Sequence, residues 1–396
     1  MKTIVVGGGA AGFFAAVNLK EMCPAMQVVI VERQQKVLQK VLISGGGRCN
    51  CTNSFEGVSD LSQVYPRGHR LLKRLFNVFD YRSAYEWFES RGVPLVTQED
   101  HCVFPKAQDS RAIADCLTGE ARRLGVEVRT GTGVASMDDL SDYDYAVITT
   151  GGQPSMKGLQ WITGHDIVAP VPSLFTLSID DTGLRELMGT VVTNAQTAIA
   201  GTKFKADGAL LITHWGVSGP AVLRLSSYAA RYLADNAYRA TLTVNWLNRS
   251  EDRVRDEINR LAQRNQKKLL ASIHPEELTT RLWTFLLTKA LGQRANAPCG
   301  SLNAKEINRV VNTLTNDIYQ ITGRAAFKDE FVTCGGVALS NVNPNTLESR
   351  HHEHLFFAGE VLDIDGVTGG FNFQAAWTTA YTVAKAIAMD VANRSY

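Results

Sequence analysis

The chain opens Met1-Lys2-Thr3-Ile4-Val5-Val6-Gly7-Gly8-Gly9-Ala10-Ala11-Gly12, and this stretch decides the fold. Ile4, Val5 and Val6 form the apolar core of a short strand. The glycines follow at once, and a helical pattern begins at Phe13. A G-x-G-x-x-G turn between a strand and a helix is the setting in which the motif binds a dinucleotide. Gly7 allows the tight turn, Gly9 lets a pyrophosphate reach the backbone, and Gly12 lets the helix lie close to the strand. Ala10 and Ala11 lie where the helix N-terminus offers free N–H groups and a positive dipole end to phosphate. The second strand, Val28-Val29-Ile30-Val31, ends at Glu32-Arg33. Glu32 stands twenty residues beyond Gly12, the spacing at which an acid binds a ribose hydroxyl. A glycine turn followed by an ordinary surface glutamate is the competing reading. The complete order of strand, turn, helix, strand and acid argues against it. The acid also favours a free 2′-hydroxyl, hence FAD or NAD over NADP.

The 396 residues suggest two or three domains, and 45% hydrophobic with 20% charged residues is ordinary for a soluble globular protein. A net charge of +2 exerts no strong pull on nucleic acid or an anionic membrane. A strand starting at the first methionine leaves no place for a signal peptide, and no apolar run is long enough for a bilayer. Seven cysteines, an odd number, do not make a disulfide framework and fit a reducing cytoplasm.

The second informative stretch is Lys40-Val41-Leu42-Ile43-Ser44-Gly45-Gly46-Gly47-Arg48-Cys49-Asn50-Cys51-Thr52-Asn53. Three consecutive glycines weaken any regular element and make sense where backbone lies against a ligand. Lys40 and Arg48 can pair with phosphate, and Asn50 and Asn53 offer amides. Cys49 and Cys51 lack a second Cys or His pair for zinc. Their spacing is also one residue short of the usual redox motif, so they read as packed thiols.

These residues resemble the signature of a bacterial family of FAD-binding oxidoreductases that includes aminoacetone-oxidase-like and BaiN-type bile-acid-reducing flavoproteins. The resemblance continues at Thr213-His214-Trp215-Gly216-Val217-Ser218-Gly219-Pro220 and at Thr333-Cys334-Gly335-Gly336-Val337. It ends with Gly359-Glu360-Val361-Leu362-Asp363-Ile364-Asp365-Gly366 and Gly369-Gly370-Phe371-Asn372 running to Ala376. It implies an α/β fold: a Rossmann-like FAD-binding domain with an inserted β-barrel and helical subdomain. It further implies that Ser44 to Asn50 (Cys49 included), Thr150, Gly151, Gly359, Glu360, Gly370, Phe371 and Asn372 line the cofactor, and similar folds put Val134 near the adenine. The chain departs from the family at Gln153 to Leu159, where relatives carry a longer segment. That departure concerns the substrate wall rather than the cofactor.

The remaining pattern divides the chain. Residues 1–172 and 323–396 form the FAD-binding domain, 173–249 a β-rich barrel-like insert, and 250–322 a helical insert. Leu71 to Arg91 reads as helical, with Arg67, His69, Arg70, Lys73 and Arg74 on a solvated face. Ser110 reads as the cap of a helix to Leu124. Leu242, Val244 and Trp246 alternate with polar residues as a strand, and Asn303 with Glu306 forms a capping box. The basic run from Arg253 to Lys268, interleaved with acids, reads as the wet side of a helix. In the C-terminal helix, from Asn372 to about Met389, Ala376, Ala380, Ala384 and Ala388 permit close packing. Its N-terminus suits the electron-rich reduced flavin.

The functional expectation is an FAD-dependent oxidoreductase passing hydride through flavin N5 to or from a small organic substrate. With no second dinucleotide fingerprint, NAD(P)H would bind only transiently as reductant. Two alternatives stay open: an amine oxidase using oxygen, and a non-catalytic or RNA-linked flavoprotein. Nucleic acid, membrane and metal are not expected. His214 is the candidate catalytic residue, since histidine exchanges protons near neutral pH. It reads equally well as a turn residue anchoring the insert.

Overall fold

The computed structural model describes residues 1–325 and 332–394. The chain divides into two compact units, Met1–Pro172 with Phe331–Tyr396, and Ser173–Glu330.

The first unit is built on a five-stranded parallel sheet in the order Leu355–Phe357, Tyr145–Ile148, Lys2–Val6, Gln27–Glu32, Glu127–Thr130. The register pairs Val6 with Val31 and with Ile148. The expected dinucleotide turn and the strand carrying the acid are therefore neighbours. Parallel strands are covered on both faces, which is why the central ones are near-continuous Val and Ile. Ile4, Val5, Ile30, Val147 and Phe357 are all buried. Glu127–Thr130 is the exposed edge and carries charge, a common defence of an open edge.

The first helix, Ala10–Met22, packs against the last, Phe371–Arg394. Phe14 fits the interface, its ring centroid 5.0 Å from Trp377 and 4.5 Å from Trp87. Ala376, Ala380 and Ala384 are buried as the four-residue repeat predicts, whereas Ala388 is only half-buried. Trp87 Nε1 donates to buried Asn18 at 3.1 Å, so neither of these two polar side chains is left unpaired in the core.

Three local expectations change. Residues 71–91 form two helices, His69–Leu75 and Tyr81–Glu89, because Asp80 accepts the Ser83 N–H at 2.9 Å and starts a new one. Ser110 does not cap Arg111–Leu124 with its side chain. Its hydroxyl donates to the Leu42 carbonyl at 2.8 Å and ties that helix to the glycine stretch. Arg67 is not on a solvated face, as described below.

The second unit contains a closed antiparallel six-stranded barrel in the order Val191–Ile199, Lys205–Ile212, Gly216–Ser218, Leu177–Ile179, Asp317–Arg324, Ala240–Asn245. Leu177, Leu210, Ile212, Val217, Leu242, Val244 and Ile321 are buried in its core. Helices Glu251–Arg264, Thr280–Leu291 and Ala304–Thr315 belong to this same unit. The stretch 250–322 is therefore not wholly helical. Asp317–Arg324 lies between two barrel strands and runs past the expected boundary at 323. The Asn303–Glu306 capping box forms, with both reciprocal bonds at 3.0 Å.

Candidate functional site

The dinucleotide turn is held from beneath. The Gly7 N–H donates to the Val31 carbonyl at 2.8 Å, and Thr149 Oγ1 lies 3.0 Å from both the Val6 and Gly7 carbonyls. Gly12 approaches so closely that a Cβ there would lie 1.9 Å from the Gly7 carbonyl oxygen. At Gly9 a Cβ would meet nothing within 4 Å, and no side chain caps the helix N-terminus. One face of the turn is thus packed and the other is open. Glu32 curls back over the turn and accepts the Gly8 and Gln34 N–H groups at 2.8 Å each. A carboxylate has about four lone-pair sites, so it retains capacity for a ribose hydroxyl. Arg33 is exposed, its Cβ against Gly133, next to half-buried Val134.

The second glycine stretch ends a short helix, Gln39–Gly47, in a left-handed run: Gly45, Gly46 and Gly47 have φ of +57°, +68° and +82°. Cβ atoms at Gly46 and Gly47 would meet nothing within 4 Å. Ser44 donates to the Val41 carbonyl at 2.9 Å. Lys40 and Arg48, expected on phosphate, both have partners within the protein. Lys40 Nζ lies 2.8 Å from Glu360 Oε2. Arg48 donates to the Gly45 carbonyl and to Gln108 at 3.2 Å each and lies 4.3 Å over the Phe104 ring. Cys49 and Cys51 are buried, and burial pushes the Cys49 thiol up to about 12 even though Ser44 hydrogen-bonds to it. A thiol so far from its thiolate is neither a ready nucleophile nor a ready metal ligand.

The C-terminal motif is stitched to this stretch. Asn50, with its amide turned to satisfy both neighbours, donates to the Thr52 carbonyl at 2.9 Å and accepts the Gly370 N–H at 3.2 Å. Asn53 donates to the Gly369 carbonyl at 2.9 Å, and the Thr52 hydroxyl donates to Gln374 at 2.6 Å. Gly370 has φ +88°, and a Cβ there would lie 2.2 Å from the Thr52 carbonyl oxygen. Asn372 clamps Gly366 by accepting its N–H at 2.8 Å and donating to its carbonyl at 2.9 Å. Phe371 is buried, its carbonyl accepting Tyr65 O–H at 2.8 Å. Gly359 lies against Ala11 and donates its N–H to Thr379 Oγ1 at 2.9 Å.

Two features were not legible from local pattern. Arg67 forms a forked ion pair with Asp365, which is fully buried, just before the clamped Gly366. Nothing near Arg67 in sequence announces a partner 298 residues away. Glu360 is the hub of the second. Besides Lys40 it accepts the Thr333 N–H at 2.8 Å and lies beneath Gly151 and Gly152. Burial pushes its carboxyl up, but the Lys40 ammonium and the Thr333 and Gly152 N–H groups outweigh burial and hold it below the ordinary 4.5. The resulting stability is present at neutral pH and lost as pH falls through and below the ordinary carboxylate range. Urea midpoints should therefore drop more between pH 7 and pH 4 in the wild type than in Glu360→Gln. Equal drops would show that Glu360 contributes no pH-dependent stability.

Next to this hub, the Thr150 hydroxyl is buried with no hydrogen-bond partner among the described residues. The expected cofactor residues of the first unit thus combine an uncapped helix N-terminus, open faces at Gly9, Gly46 and Gly47, and an orphaned hydroxyl. This donor set fits a dinucleotide with phosphates and a polar ring. His214 belongs to the second unit, in the exposed turn between two barrel strands, its ring 4.9 Å from Trp215. Ser218, on the following strand, accepts from Thr176 at 2.8 Å.

The HI0933-like protein Rossmann domain matches residues 1–386. The chain belongs to the HI0933-like family. It is an FAD-dependent oxidoreductase with a Rossmann-like FAD-binding domain and a closed six-stranded barrel. Among HI0933-like relatives, the 3-dehydro-bile acid delta(4,6)-reductase of Clostridium scindens is 26% identical over 411 residues, 97% of this chain and 98% of the relative. The ribosomal RNA dihydrouridine synthase of Escherichia coli K12 is 29% identical over 413 residues, 96% of each chain. Among solved structures, 3-ketosteroid delta1-dehydrogenase from Sterolibacterium denitrificans aligns with TM-score 0.46 at 11% identity, covering 98% of this chain and 99% of the other. No helix among the described residues is long and apolar enough to cross a membrane, and no group of three or more metal-ligating side chains is present among them.

Proposed function

We propose that the protein reduces a carbon–carbon double bond conjugated to a carbonyl, with NAD(P)H as the source of electrons. The observation that carries this reading is the chemistry shared by the two curated relatives. A Δ4,6 unsaturation beside a 3-oxo group and the C5=C6 bond of uracil are both alkenes in conjugation with C=O. Saturating either adds a hydride and a proton, and oxidation of NAD(P)H to NAD(P)+ balances the two electrons. When bound, FAD supplies the two-electron relay, with N5 as the hydride-transfer atom.

The chain's own residues bind and orient. Gly7 to Gly12 and Glu32 would hold the pyrophosphate and ribose, and Arg33 and Val134 would hold the adenine. Ser44 to Asn50, Thr150 and Gly151, and Gly359 with Glu360 would hold the rest of the cofactor. Lys40 acts through Glu360, which fixes the backbone at Gly152 and Thr333. Gly370, Phe371 and Asn372 would present the N-terminus of the last helix to the flavin, where its dipole would favour negative charge on the reduced cofactor. His214 is the proposed carrier of the proton.

The test is anaerobic incubation with NADH or NADPH and, separately, a 3-oxo-Δ4 steroid and a uridine-containing RNA, with products read by mass. A product heavier by two hydrogens is expected from one of them. His214→Gln should slow product formation more than flavin bleaching. Oxidation of an amine with oxygen uptake, and no saturated product from either alkene, would contradict the reading.

A further inference from the structure

The helix Glu251–Arg264 carries charge out of proportion to the chain. From Arg249 to Lys268 there are seven basic and four acidic residues, an excess larger than the net +2 of the whole protein. The sequence pattern alone reads this run as a wet helix face. The structure sorts it. Arg255 is paired with Glu251, while Arg249, Arg253, Glu257, Arg260, Leu261 and Arg264 line one cleft of ≈ 510 Å³. Within the cleft, Glu257 is taken by Arg249 at 2.5 Å, and Arg249 is further paired with Glu277. Arg253, Arg260 and Arg264 are exposed and form no ion pair among the described residues, Arg260 Nε donating only to the Asp256 backbone carbonyl at 3.1 Å. Helical spacing explains the arrangement: positions 253, 257, 260, 261 and 264 recur on one face. Their buried neighbours Val254, Ile258 and Ala262 anchor the adjoining face to the core.

From Arg253 to Arg264 the helix rises about 16 Å, more than one phosphate spans. Three guanidinium forks along that length can each take a phosphate oxygen pair, which a Lys cluster would not do with the same geometry. A lone small anion would leave most of the cleft unused. We infer that this face is a docking surface for the phosphodiester backbone of RNA. The inference rests on the reading that the reduced alkene can be a uracil ring, and it names the polymer that carries that ring.

The experiment uses the flavin-loaded full chain and a fluorescein-labelled single-stranded RNA containing uridine, with binding followed by anisotropy over a series of salt concentrations. The variants are R253Q/R260Q/R264Q and R253K/R260K/R264K, each checked for a wild-type flavin spectrum and melting temperature. Each phosphate contact contributes roughly 0.7 to the slope of log affinity against log salt for a single strand. The glutamine variant should therefore bind at least ~10-fold more weakly at low salt with a slope shallower by about 2. The lysine variant, which keeps the charges, should retain most of the slope. An unchanged slope in the glutamine variant overturns the inference, as does displacement of RNA by millimolar inorganic phosphate or by an acidic peptide of equal charge. Product formation separates the two ideas. RNA bound through these arginines but never reduced contradicts the proposed reaction alone, whereas RNA reduced equally by wild type and glutamine variant contradicts the docking surface alone.

Discussion

Gly12→Ala is expected to yield protein without flavin. The new Cβ would sit 1.9 Å from the Gly7 carbonyl oxygen and 2.8 Å from Thr149 Oγ1. Neither neighbour can retreat freely. The Gly7 N–H is bonded to Val31 in the next strand, and Thr149 Oγ1 bridges to the Val6 and Gly7 carbonyls. Relief must come from lifting the helix off the strand, which reshapes the turn and uncouples the helix from Phe371–Arg394. Overpacking typically costs about 1–3 kcal/mol and sometimes more; with backbone as the obstacle, about 3 kcal/mol or above is expected. The measurement is the ratio of visible to ultraviolet absorbance together with the melting temperature, and both should fall. Gly9→Ala is the informative contrast, because its Cβ meets no atom of the protein. It should keep the apoprotein's melting temperature and lose affinity for FAD. If both variants bind FAD as the wild type does, the turn is not the pyrophosphate site.

Asp365→Ala is the second large effect. Asp365 is fully buried and pairs in a fork with Arg67, whose side chain is 15% exposed. Removing one partner of a buried pair strips the other charge of its main counter-charge, typically at about 3–5 kcal/mol, and the nearby Asp363 carboxylate offsets only part of that. Burial disfavours the Arg67 cation, yet Asp365 more than restores it, so Arg67 stays charged in the wild type. The loss should extend past local stability, because Asp365 precedes Gly366, which Asn372 clamps at the entrance to the last helix. The expected result is a urea midpoint lowered by an amount corresponding to about 3 kcal/mol or more, with weakened flavin retention. An unchanged midpoint would mean that the pair is dispensable.

The fold was legible where local chemistry fixes it. The apolar strand at Ile4-Val5-Val6, the glycine spacing and the acid at Glu32 predict a strand–helix–strand unit, and the parallel pairing of Val6 with Val31 places them as adjacent. The alternation at Leu242, Val244 and Trp246 likewise yields buried residues in a barrel unit. What escaped is long-range. Asp317–Arg324 follows a run of helices with Asn316 alone to mark the stop, and nothing local in the sequence shows that it pairs with Ala240–Asn245. Arg67 stands in a basic cluster, and only the return of the chain at Asp365 turns it into a buried partner. Lys40 and Arg48 carry charge suited to phosphate, but tertiary structure gives them Glu360, Gln108 and Phe104. The acids between Arg253 and Lys268 suggest neutralisation, whereas their placement around the helix leaves three arginines together.

The decisive measurement is an absorbance spectrum of the purified protein, followed by anaerobic addition of NADH and then NADPH. Visible flavin bands that bleach with one nicotinamide, and return when a conjugated alkene is added, are the predicted result. Flavin bands that persist with both nicotinamides, or no flavin after incubation with excess FAD, would contradict it.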